Sequence, residues 1–428
     1  MPASSTNSLR LSGWERIYAA LAPCVFGPSL AAAFAGGASR DELYARVGRV
    51  PAAEPGAIWL HGASAGEMAG AARLVDVLRQ HGYFFPAIFT AANRAGVAYI
   101  ARLAAAHSTA ALVPWDVPAW VSRAFDRWRP AALLLIETEL WPLLVFEAHR
   151  RGVPVLSVSG RIYPRDLPRY QAIRPFIAPT LRRLSRVLAQ NEIERERFIA
   201  LGAAADKCVT AGNLKHLQQR SAGDPARLRE QIGVSAGDPV IVFGSVHRAE
   251  IPIVGDAIAL LAGKQIRFLV APRHLSSLPY LMREVSARGL TATLRSRVKP
   301  GDQWRVLVLD TIGELRDFYG IALASVICGG FGKFGGHNPL EALEAGAPVF
   351  FGAHFHHFEH EARLLMAVTP EAMITTAEQI AAGLRRMLEE EDWRLHMLAK
   401  QKQTLPDPAI VTRHYLDQLS PFLTAAYA

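Results

Sequence analysis

The sequence predicts an α/β protein with two doubly wound domains, each built on a parallel sheet that helices cover on both faces. Short apolar runs alternate with helix-like segments from residue 57 onward. The alternation pauses at a polar stretch with glycine and proline, residues 212–225, and then restarts. A glycine-rich turn, residues 329–336, directly follows one of the later apolar runs. Because parallel strands need helical crossovers, this pattern favours two similar domains joined by a linker.

The predicted strands are short and mostly apolar, which is typical of strands buried on both faces. In the first half they lie at 57–63, 85–90, 111–114, 131–136, 154–158 and 186–189. In the second half they lie at 240–244, 266–271, 305–309, 325–328 and 348–351. Residues 67–79 and 141–150 show helical patterns between strands, and helices beyond residue 376 are expected to pack back across the domain junction. We predict an N-terminal segment (1–50) and two domains (51–212 and 226–428).

Composition narrows the class of protein. With 428 residues, half of them hydrophobic and a fifth charged, the chain is globular and too long for one compact core. The cysteines Cys24, Cys208 and Cys328 are far apart and lack metal-ligand spacing, which favours a reducing compartment. The net charge of +9 predicts an acidic partner: nucleic acid, an anionic membrane or a phosphorylated substrate. Nucleic acid is the weakest of these, because the chain has no Lys/Arg block or zinc-finger spacing.

The N-terminal segment contains an uncharged stretch, residues 17–39. It is open to interpretation as a signal peptide, a membrane span, a membrane-surface segment or a soluble helix packed on the body. The stretch is rich in alanine, and Pro23 and Pro28 are expected to interrupt it, which makes a poor span. Trp14 and Tyr18 suit the headgroup region, so a peripheral or shallow anchor is favoured.

Glu67 is the candidate general base of the first domain. It follows the strand at 57–63, in Ser64-Ala65-Gly66-Glu67, at the start of a predicted helix. A carboxylate at a strand end and a helix start is well placed to accept a proton in a cleft. The alternative is an acidic residue that only complements the helix dipole.

Two further carboxylates and a group of arginines follow later strands. Glu137 and Glu139 end the strand at 131–136, and their alternating directions mean that they do not share one role. Either one can instead form a structural ion pair. Arg161 begins a series of arginines interleaved with tyrosines, which indicates a grip on an anionic acceptor or a solvated surface.

Basic and glycine residues follow three strands of the second domain. Because the carboxyl ends of parallel strands meet at one edge, they are expected to face one cleft. Arg273 is the natural counter-ion for a leaving phosphate, and the neighbouring His274 and His247 are possible donors or structural residues. Gly313 and Glu314 open a helix, where backbone N–H groups can meet phosphate.

The glycine-rich turn at 329–336 leads into a predicted helix start. Asn338 occupies the predicted N-cap, Pro339 the first helical position and Glu341 the third position past the cap. Glycines allow close approach of an anion, which indicates a phosphate site; the alternative is an ordinary loop with a capping box. Glu341 is suited to hold a ribose.

Two motifs are missing from the sequence. No Asp-x-Asp follows a strand, so no bridging metal is expected, and no GxGxxG follows the first strand, which argues against a nicotinamide enzyme.

Together these motifs resemble those of the 3-deoxy-D-manno-octulosonic acid (Kdo) transferases of Gram-negative bacteria, from about residue 57 to residue 368. In chain order they are Ser-Ala-Gly-Glu at 64–67, Glu-Thr-Glu-Leu-Trp-Pro at 137–142, Gln190, Arg197-Phe198, Leu201-Gly202-Ala203, Gly-Asn-Leu-Lys at 212–215, Ala-Pro-Arg-His at 271–274, Asp-Thr-Ile-Gly-Glu-Leu at 310–315 and Gly-Gly-His-Asn-Pro-Leu-Glu at 335–341. These enzymes are inverting glycosyltransferases of the GT-B fold, with two facing Rossmann-like domains.

The resemblance implies transfer of Kdo from CMP-Kdo to a lipid A precursor in lipopolysaccharide biosynthesis, at the cytoplasmic side of the inner membrane and without a metal or other cofactor. It implies that 51–212 binds the acceptor, with Glu67 as the base, and that 226–428 binds the CMP-sugar. The residues implied at the nucleotide are Arg273, His274, Ile312, Gly313, Glu314, Gly336, Asn338 and Glu341. Those implied at the acceptor or in support are Ser64, Glu137, Glu139, Arg161 and His247.

Two positions depart from the family pattern. Val246 stands where the family usually has threonine, and Ser159 where it usually has asparagine. Val246 cannot donate a hydrogen bond. One alternative is therefore a GT-B enzyme that uses another activated sugar or acceptor, and another is a non-catalytic nucleotide-sugar binding protein. Retention of Glu67 and Arg273 counts against the second alternative.

Overall fold

The computed structural model describes residues 11–103, 107–217 and 223–424. The chain divides into two compact units, Met1–Gln218 with Pro406–Ala428, and Gln219–Leu405. The boundary at the C-terminal end therefore differs from the predicted second domain, 226–428. Of the helices beyond residue 376, the last one belongs to the first unit.

The first unit contains a seven-stranded sheet in which all strand pairs are parallel. Its strands are β1 (Ile58–Gly62), β2 (Ala87–Ala91), β3 (Ser108–Leu112), β4 (Ala132–Ile136), β5 (Val155–Gly160), β6 (Arg186–Ala189) and β7 (Cys208–Thr210). They are arranged in the order β3-β2-β1-β4-β5-β6-β7.

The second unit contains a six-stranded sheet, again with parallel pairs. Its strands are β8 (Val240–Val246), β9 (Arg267–Pro272), β10 (Ala292–Leu294), β11 (Val306–Val308), β12 (Ala324–Ile327) and β13 (Val349–Phe351). They are arranged in the order β10-β11-β9-β8-β12-β13. Both sheets are of the doubly wound type that the sequence predicts.

Helices connect the strands in both units. Those of the first unit are α1 (Gly13–Ala35), α2 (Arg40–Arg46), α3 (Ala65–Gln80), α4 (Arg94–Leu103), α5 (Pro118–Trp128), α6 (Pro142–Arg150), α7 (Leu167–Ala172), α8 (Arg174–Arg182) and α9 (Glu192–Leu201). Those that follow are α10 (Pro225–Gln231), α11 (Ile251–Ala259), α12 (Leu278–Ala287), α13 (Leu315–Tyr319), α14 (Leu340–Glu344), α15 (Glu359–Val368), α16 (Ala377–Glu389), α17 (Glu391–Lys402) and α18 (Pro408–Thr424).

The sheet of the first unit is buried on both faces. Ile58 and Leu60 of β1 lie in one apolar core, whereas Trp59 lies in the other, as the two-residue period of a strand requires. Tyr415 of α18 is fully buried in the core that contains Ile58, and its hydroxyl donates to the Gly212 carbonyl at 2.7 Å. The C-terminal helix therefore completes the core of the first unit.

Two strands, β7 and β10, were not predicted from the sequence. Both have three residues and lie at an edge of their sheet. Each is only partly buried, so neither needs the apolar run that marks a central strand.

Helix α1 is continuous over 23 residues, and the expectation that Pro23 and Pro28 interrupt it is wrong. Both prolines lie on the exposed side of the helix, where solvent can bind the carbonyls that lose their backbone donors. The opposite side packs on the first unit. There Glu15 forms an ion pair with Arg183, and Ala22 is buried in a small apolar cluster.

Candidate active site

Glu67 lies in the first turn of α3, directly after β1. Its Oε2 accepts a hydrogen bond from the Ala63 backbone N–H at 2.6 Å, and its Oε1 accepts one from the Ser64 hydroxyl at 3.0 Å. Ser64 also caps α3, because its Oγ accepts from the Glu67 backbone N–H at 3.3 Å. Gly62 makes room for this arrangement, since a Cβ there would lie 3.1 Å from Glu67 Oε2. The carboxylate is therefore fixed in place while remaining half-buried.

The surroundings of Glu67 favour its neutral form. Burial raises the pKa of Glu67 to about 7, and the negative charges of Glu137 and Glu139 contribute to this rise. The hydrogen bonds from Ala63 and Ser64 act in the opposite direction. A carboxylate whose pKa lies near neutrality can accept a proton during a reaction and release it afterwards.

Glu139 contacts two polar groups, those of Trp141 and the buried His61. Its Oε2 accepts from Trp141 Nε1 at 2.8 Å and lies 3.3 Å from His61 Nε2, an electrostatic contact rather than an aligned hydrogen bond. His61 is fully buried in β1, and its Nδ1 lies 3.0 Å from Thr90 Oγ1. Burial raises the pKa of Glu139, but the contacts with His61 and Trp141 outweigh it, so the pKa of Glu139 is lowered. Glu139 is thus charged and held in position.

Glu137 and Arg161 lie around Tyr163. The Tyr163 hydroxyl donates to Glu137 Oε2 at 3.5 Å, and the Arg161 guanidinium stacks over the tyrosine ring at 4.3 Å. Glu137 has φ of 58°, a conformation that is uncommon outside glycine. The structure therefore brings together the predicted residues of the first unit at the ends of β1, β4 and β5. Sequence reasoning missed His61, whose position in an apolar strand gave no signal of a polar contact.

In the second unit, His247 and His337 form a close pair. Their Nε2 atoms are 2.8 Å apart, so one ring donates a hydrogen bond through its N–H and the other accepts it. The Phe334 ring stacks on His247 with centroids 4.1 Å apart. Burial lowers the pKa of His337 to about 4, and the nearby His247 and Arg273 add to this effect. Burial also lowers the pKa of His247, so both rings favour the neutral form at pH 7.

Arg273 and His274 follow β9 and are exposed. The Arg273 backbone N–H donates to the Val246 carbonyl at 2.9 Å, which ties this turn to the end of β8. The His274 ring lies edge-on to His247, with centroids 6.0 Å apart. The ends of β8 and β9 thus bring these predicted residues together, with the arginine side chain accessible to solvent.

The three predicted residues that follow β11 differ in exposure and in contacts. Ile312 is 88% exposed, and Gly313 has φ of 99°, which a side chain would strain. Glu314 is engaged with protein groups, because its Oε1 accepts from Arg295 at 3.0 Å and its Oε2 accepts from the Thr311 hydroxyl. Glu314 therefore shapes this segment rather than presenting an unoccupied carboxylate.

The predicted helix start after the glycine-rich turn differs in detail. Helix α14 begins at Leu340, and the predicted capping box between Asn338 and Glu341 is not formed. Asn338 Oδ1 instead accepts from the Leu340 N–H at 3.0 Å, and Glu341 is exposed. The Gly336 N–H donates to the Gly329 carbonyl at 3.0 Å, so the turn closes on itself. The box is not formed because Pro339, rather than Asn338, occupies the N-cap position, and proline has no side-chain acceptor.

The two departures from the family pattern have structural explanations. Val246 is fully buried in the core of the second unit, where an apolar side chain fits. Ser159 is also buried, with φ of 56°, and its Oγ accepts from Gln190 Nε2 at 3.2 Å and from the Leu214 N–H at 3.3 Å. Asparagine adopts a positive φ more readily than most residues, which explains why the family usually has asparagine where this chain has Ser159.

No group of three or more metal-ligating side chains is found in the ranges 11–103, 107–217 and 223–424.

The structure also shows a buried carboxylate that sequence reasoning did not select, Glu250. Its sequence signal is the three-residue spacing from His247, which is that of a capping box.

The sequence profile of the family described as 3-deoxy-D-manno-octulosonic-acid transferase (kdotransferase) matches residues 41–218. The chain is 30% identical over 403 residues to a 3-deoxy-D-manno-octulosonic acid transferase of Bordetella pertussis, covering 88% of this chain and 89% of the relative. The chain belongs to the Kdo transferase family. A second Kdo transferase, from Haemophilus influenzae, is 26% identical over 388 residues, with 89% of this chain and 91% of the relative covered.

Solved structures show the same fold. A glycosyltransferase from Rickettsia africae matches with a TM-score of 0.60 at 11% identity, covering 86% of this chain and 99% of that one. UDP-GlcNAc 2-epimerase from Neisseria meningitidis matches with a TM-score of 0.59 at 12% identity, covering 85% and 99%. These likenesses show the GT-B fold, and membership of the Kdo transferase family makes the protein a glycosyltransferase.

Proposed function

We propose that this protein transfers Kdo from CMP-Kdo to a hydroxyl of a phosphorylated lipid A precursor, with inversion at the anomeric carbon. Membership of the Kdo transferase family supports the donor and the acceptor. The observation that carries the mechanism is the carboxylate of Glu67, fixed at the end of β1 with a pKa of about 7.

In the proposed reaction, Glu67 accepts the proton of the acceptor hydroxyl while that oxygen attacks the anomeric carbon of Kdo. The bond from the anomeric carbon to the CMP phosphate breaks, and CMP leaves with the bonding electron pair. The hydrogen bonds from Ala63 and Ser64 orient the carboxylate before the substrate arrives. A base with a pKa near the working pH combines a deprotonated resting state with useful basicity.

The leaving phosphate is proposed to bind beyond the ends of β9, β11 and β12. Arg273 is exposed and supplies a permanent positive charge with donors in a fixed planar array. His274 and the backbone around Gly313 and Gly336 would add donors, and Asn338 would contribute near the start of α14. Glu341, which is exposed, would take the ribose hydroxyls, and Ile312 would cover the base.

The proposed support for the acceptor comes from the first unit. Arg161, stacked on Tyr163, is suited to an anionic group of the acceptor. Glu137 and Glu139 would tune Glu67, because their charges raise its pKa. We propose that the reaction needs no metal, since arginine and backbone donors can stabilise a leaving phosphate. Turnover that persists in EDTA would support this, whereas loss of turnover that Mg²⁺ restores would contradict it.

Helix α1 is proposed to place the protein on the cytoplasmic face of the inner membrane. By length and composition it could cross a membrane. However, one side of it packs on the first unit, and apolar side chains are exposed on the other, including Ile17, Leu21 and Val25. This favours a helix that lies in the membrane surface. Leu21→Glu with Val25→Glu should abolish flotation with anionic vesicles; unchanged flotation would contradict the placement.

The test of the proposed function is a turnover assay. Purified protein is mixed with lipid A precursor and CMP-Kdo generated in situ, and the lipid product is analysed by mass spectrometry. A gain of one or more Kdo masses is expected. No gain together with tight CMP binding would point to another donor sugar or acceptor, and no gain without CMP binding would overturn the proposal.

A further inference from the structure

Glu250 lies in the short turn after β8, and its side chain is only 1% exposed. Both carboxylate oxygens face the glycine-rich turn at 329–336. Oε1 accepts from the backbone N–H groups of Gly329 at 2.8 Å and Phe331 at 2.9 Å, with a longer contact to Gly332 at 3.3 Å. Oε2 accepts from the Gly329 N–H at 2.7 Å. One buried side chain therefore binds three backbone donors within four residues of the turn, those of Gly329, Phe331 and Gly332.

A buried carboxylate is stable only when hydrogen bonds replace the water it has lost. Here those bonds come from backbone donors rather than from a basic side chain, so the carboxylate and the turn determine each other's position. Gly329 has φ of 88°, and a Cβ at this position would lie 2.7 Å from the His337 ring. The conformation that Glu250 holds thus requires a glycine and a close approach to His337.

Glu250 also connects the turn to the histidine pair. Its Oε2 accepts from the His247 backbone N–H at 3.0 Å, and His247 Nε2 lies 2.8 Å from His337 Nε2. The beginning of the glycine-rich turn is held through Gly329, and the residue that follows its end is held through His337. Glu250 therefore fixes the turn at both ends.

We propose that Glu250 is a positioning residue that holds the glycine-rich turn in the conformation that binds the phosphate of the sugar-nucleotide donor. This inference rests on the proposed function and extends it, because Glu250 itself is buried and does not reach the donor. The sheet beneath does not depend on Glu250. The Cys328 N–H donates to the Gly244 carbonyl at 2.9 Å, and β8 pairs with β12 through backbone groups.

Glu250→Gln is the informative substitution. It keeps the size of the side chain but replaces one acceptor oxygen with an amide –NH₂, which would face backbone N–H groups. The turn should lose its fixed conformation, and the Kd for CMP and the KM for CMP-Kdo should each rise at least about tenfold. The KM for the lipid acceptor should not change. Glu250→Asp, which keeps the charge on a shorter side chain, should give an intermediate Kd.

Glu194→Gln provides a matched control in the first unit. Glu194 is 5% exposed; its Oε2 accepts from the Ile162 backbone N–H at 2.7 Å and its Oε1 from Arg197 at 2.8 Å. The substitution therefore removes the charge of a buried, hydrogen-bonded carboxylate away from the glycine-rich turn. The affinity for CMP should be unaffected by it. A loss of CMP affinity in both variants would indicate general destabilisation and would overturn the proposal.

The experiment combines CMP titration calorimetry with hydrogen exchange of the full chain. In Glu250→Gln, amide exchange should accelerate at 329–332, protection of β8 and β12 should persist, and CMP binding should weaken. Faster exchange with unchanged CMP affinity would overturn the proposal, as would unchanged exchange. If Glu250→Gln does not fold, Glu250→Asp decides the question by the same measurements. If the wild type itself does not bind CMP, the proposed function fails first and this inference fails with it.

Discussion

The two units carry different ionisable clusters at the carboxyl ends of sheets that are built in the same way. In the first unit, Glu67, Glu137 and Glu139 cluster where β1 and β4 end. In the second unit, Arg273 and His337 lie near one another around the ends of β8 and β9. The common architecture therefore supplies positions, and the side chains at those positions decide the chemistry.

Each cluster shifts pKa values in the direction that reduces its own charge. Among the carboxylates, burial and like charges raise the pKa of Glu67 to about 7. Among the basic groups, burial and like charges lower the pKa of His337 to about 4. The first cluster thus contains a group ready to accept a proton. In the second, the histidine pair stays neutral, and Arg273 carries the charge that suits a phosphate.

The largest effect should come from the acidic cluster. Glu67→Gln removes the proton acceptor and should lower kcat by about 100- to 10,000-fold. CMP affinity should stay unchanged, because Glu67 belongs to the first unit. Single-turnover kinetics and CMP titration calorimetry measure the two quantities. Glu192→Gln, in the first turn of α9, is the matched control and should keep its rate. Equal rates for Glu67→Gln and the wild type would show that the acidic cluster does not supply the proton acceptor.

The next effect should come from the basic cluster. Arg273→Ala should raise the Kd for CMP by about 10- to 100-fold, since a hydrogen bond to a charged group contributes about 1.5–3 kcal/mol. Arg283→Ala, at an exposed position of α12, changes the net charge equally and should leave the Kd unchanged. Similar losses in both variants would mean that overall charge, rather than the site, attracts the nucleotide.

The pH dependence tests how the carboxylates interact. Glu67 must be deprotonated to act as a base, so kcat/KM should rise with pH and reach half its maximum near pH 7. Glu137→Gln removes a negative charge that opposes ionisation of Glu67. The midpoint should therefore move to lower pH, by roughly one unit or less. Glu196→Gln, which is exposed on α9, should not move it. A midpoint that moves to higher pH would contradict the conclusion that the charge of Glu137 raises the pKa of Glu67.

The smallest effects concern the strained strand ends. Ser159 and Ser245 both have φ of 56°. Ser245→Gly should relieve this strain and stabilise the second unit by about 0.5 kcal/mol. Ser159→Gly should destabilise the first unit by about 1 kcal/mol, because Ser159 Oγ accepts from Gln190 and Leu214. Hydrogen exchange of the slowest amides in each sheet measures the two changes separately. Stabilisation by both substitutions would show that strain dominates at both ends.

The central strands could be predicted because their apolar runs are local in sequence. The edge strands β7 and β10 could not, since a three-residue, partly exposed strand carries no such run. The continuity of α1 was also hidden, because the effect of a proline depends on which side of the helix it faces. Motif residues such as Glu67 and Arg273 were selected because their chemistry and the resemblance agreed, and the structure places both directly after strand ends.

Residues that act through distant contacts could not be found in this way. Glu250 binds Gly329, which is 79 positions away, and His61 contacts Thr90, which is 29 positions away. Neither partner is visible from the local sequence. Likewise, Glu314 looked available for a ligand, but Arg295 engages it in the folded protein. Such roles emerge only when the sheet brings strand ends together.

The return of α18 to the first unit has a consequence for biosynthesis. The ribosome releases all of Gln219–Leu405 before it releases Pro408–Thr424. Yet Tyr415 and Leu419 belong to the core of the first unit. Nascent chains usually complete their N-terminal domain first. Here the second unit can finish folding while the first, although synthesised earlier, waits for its last helix.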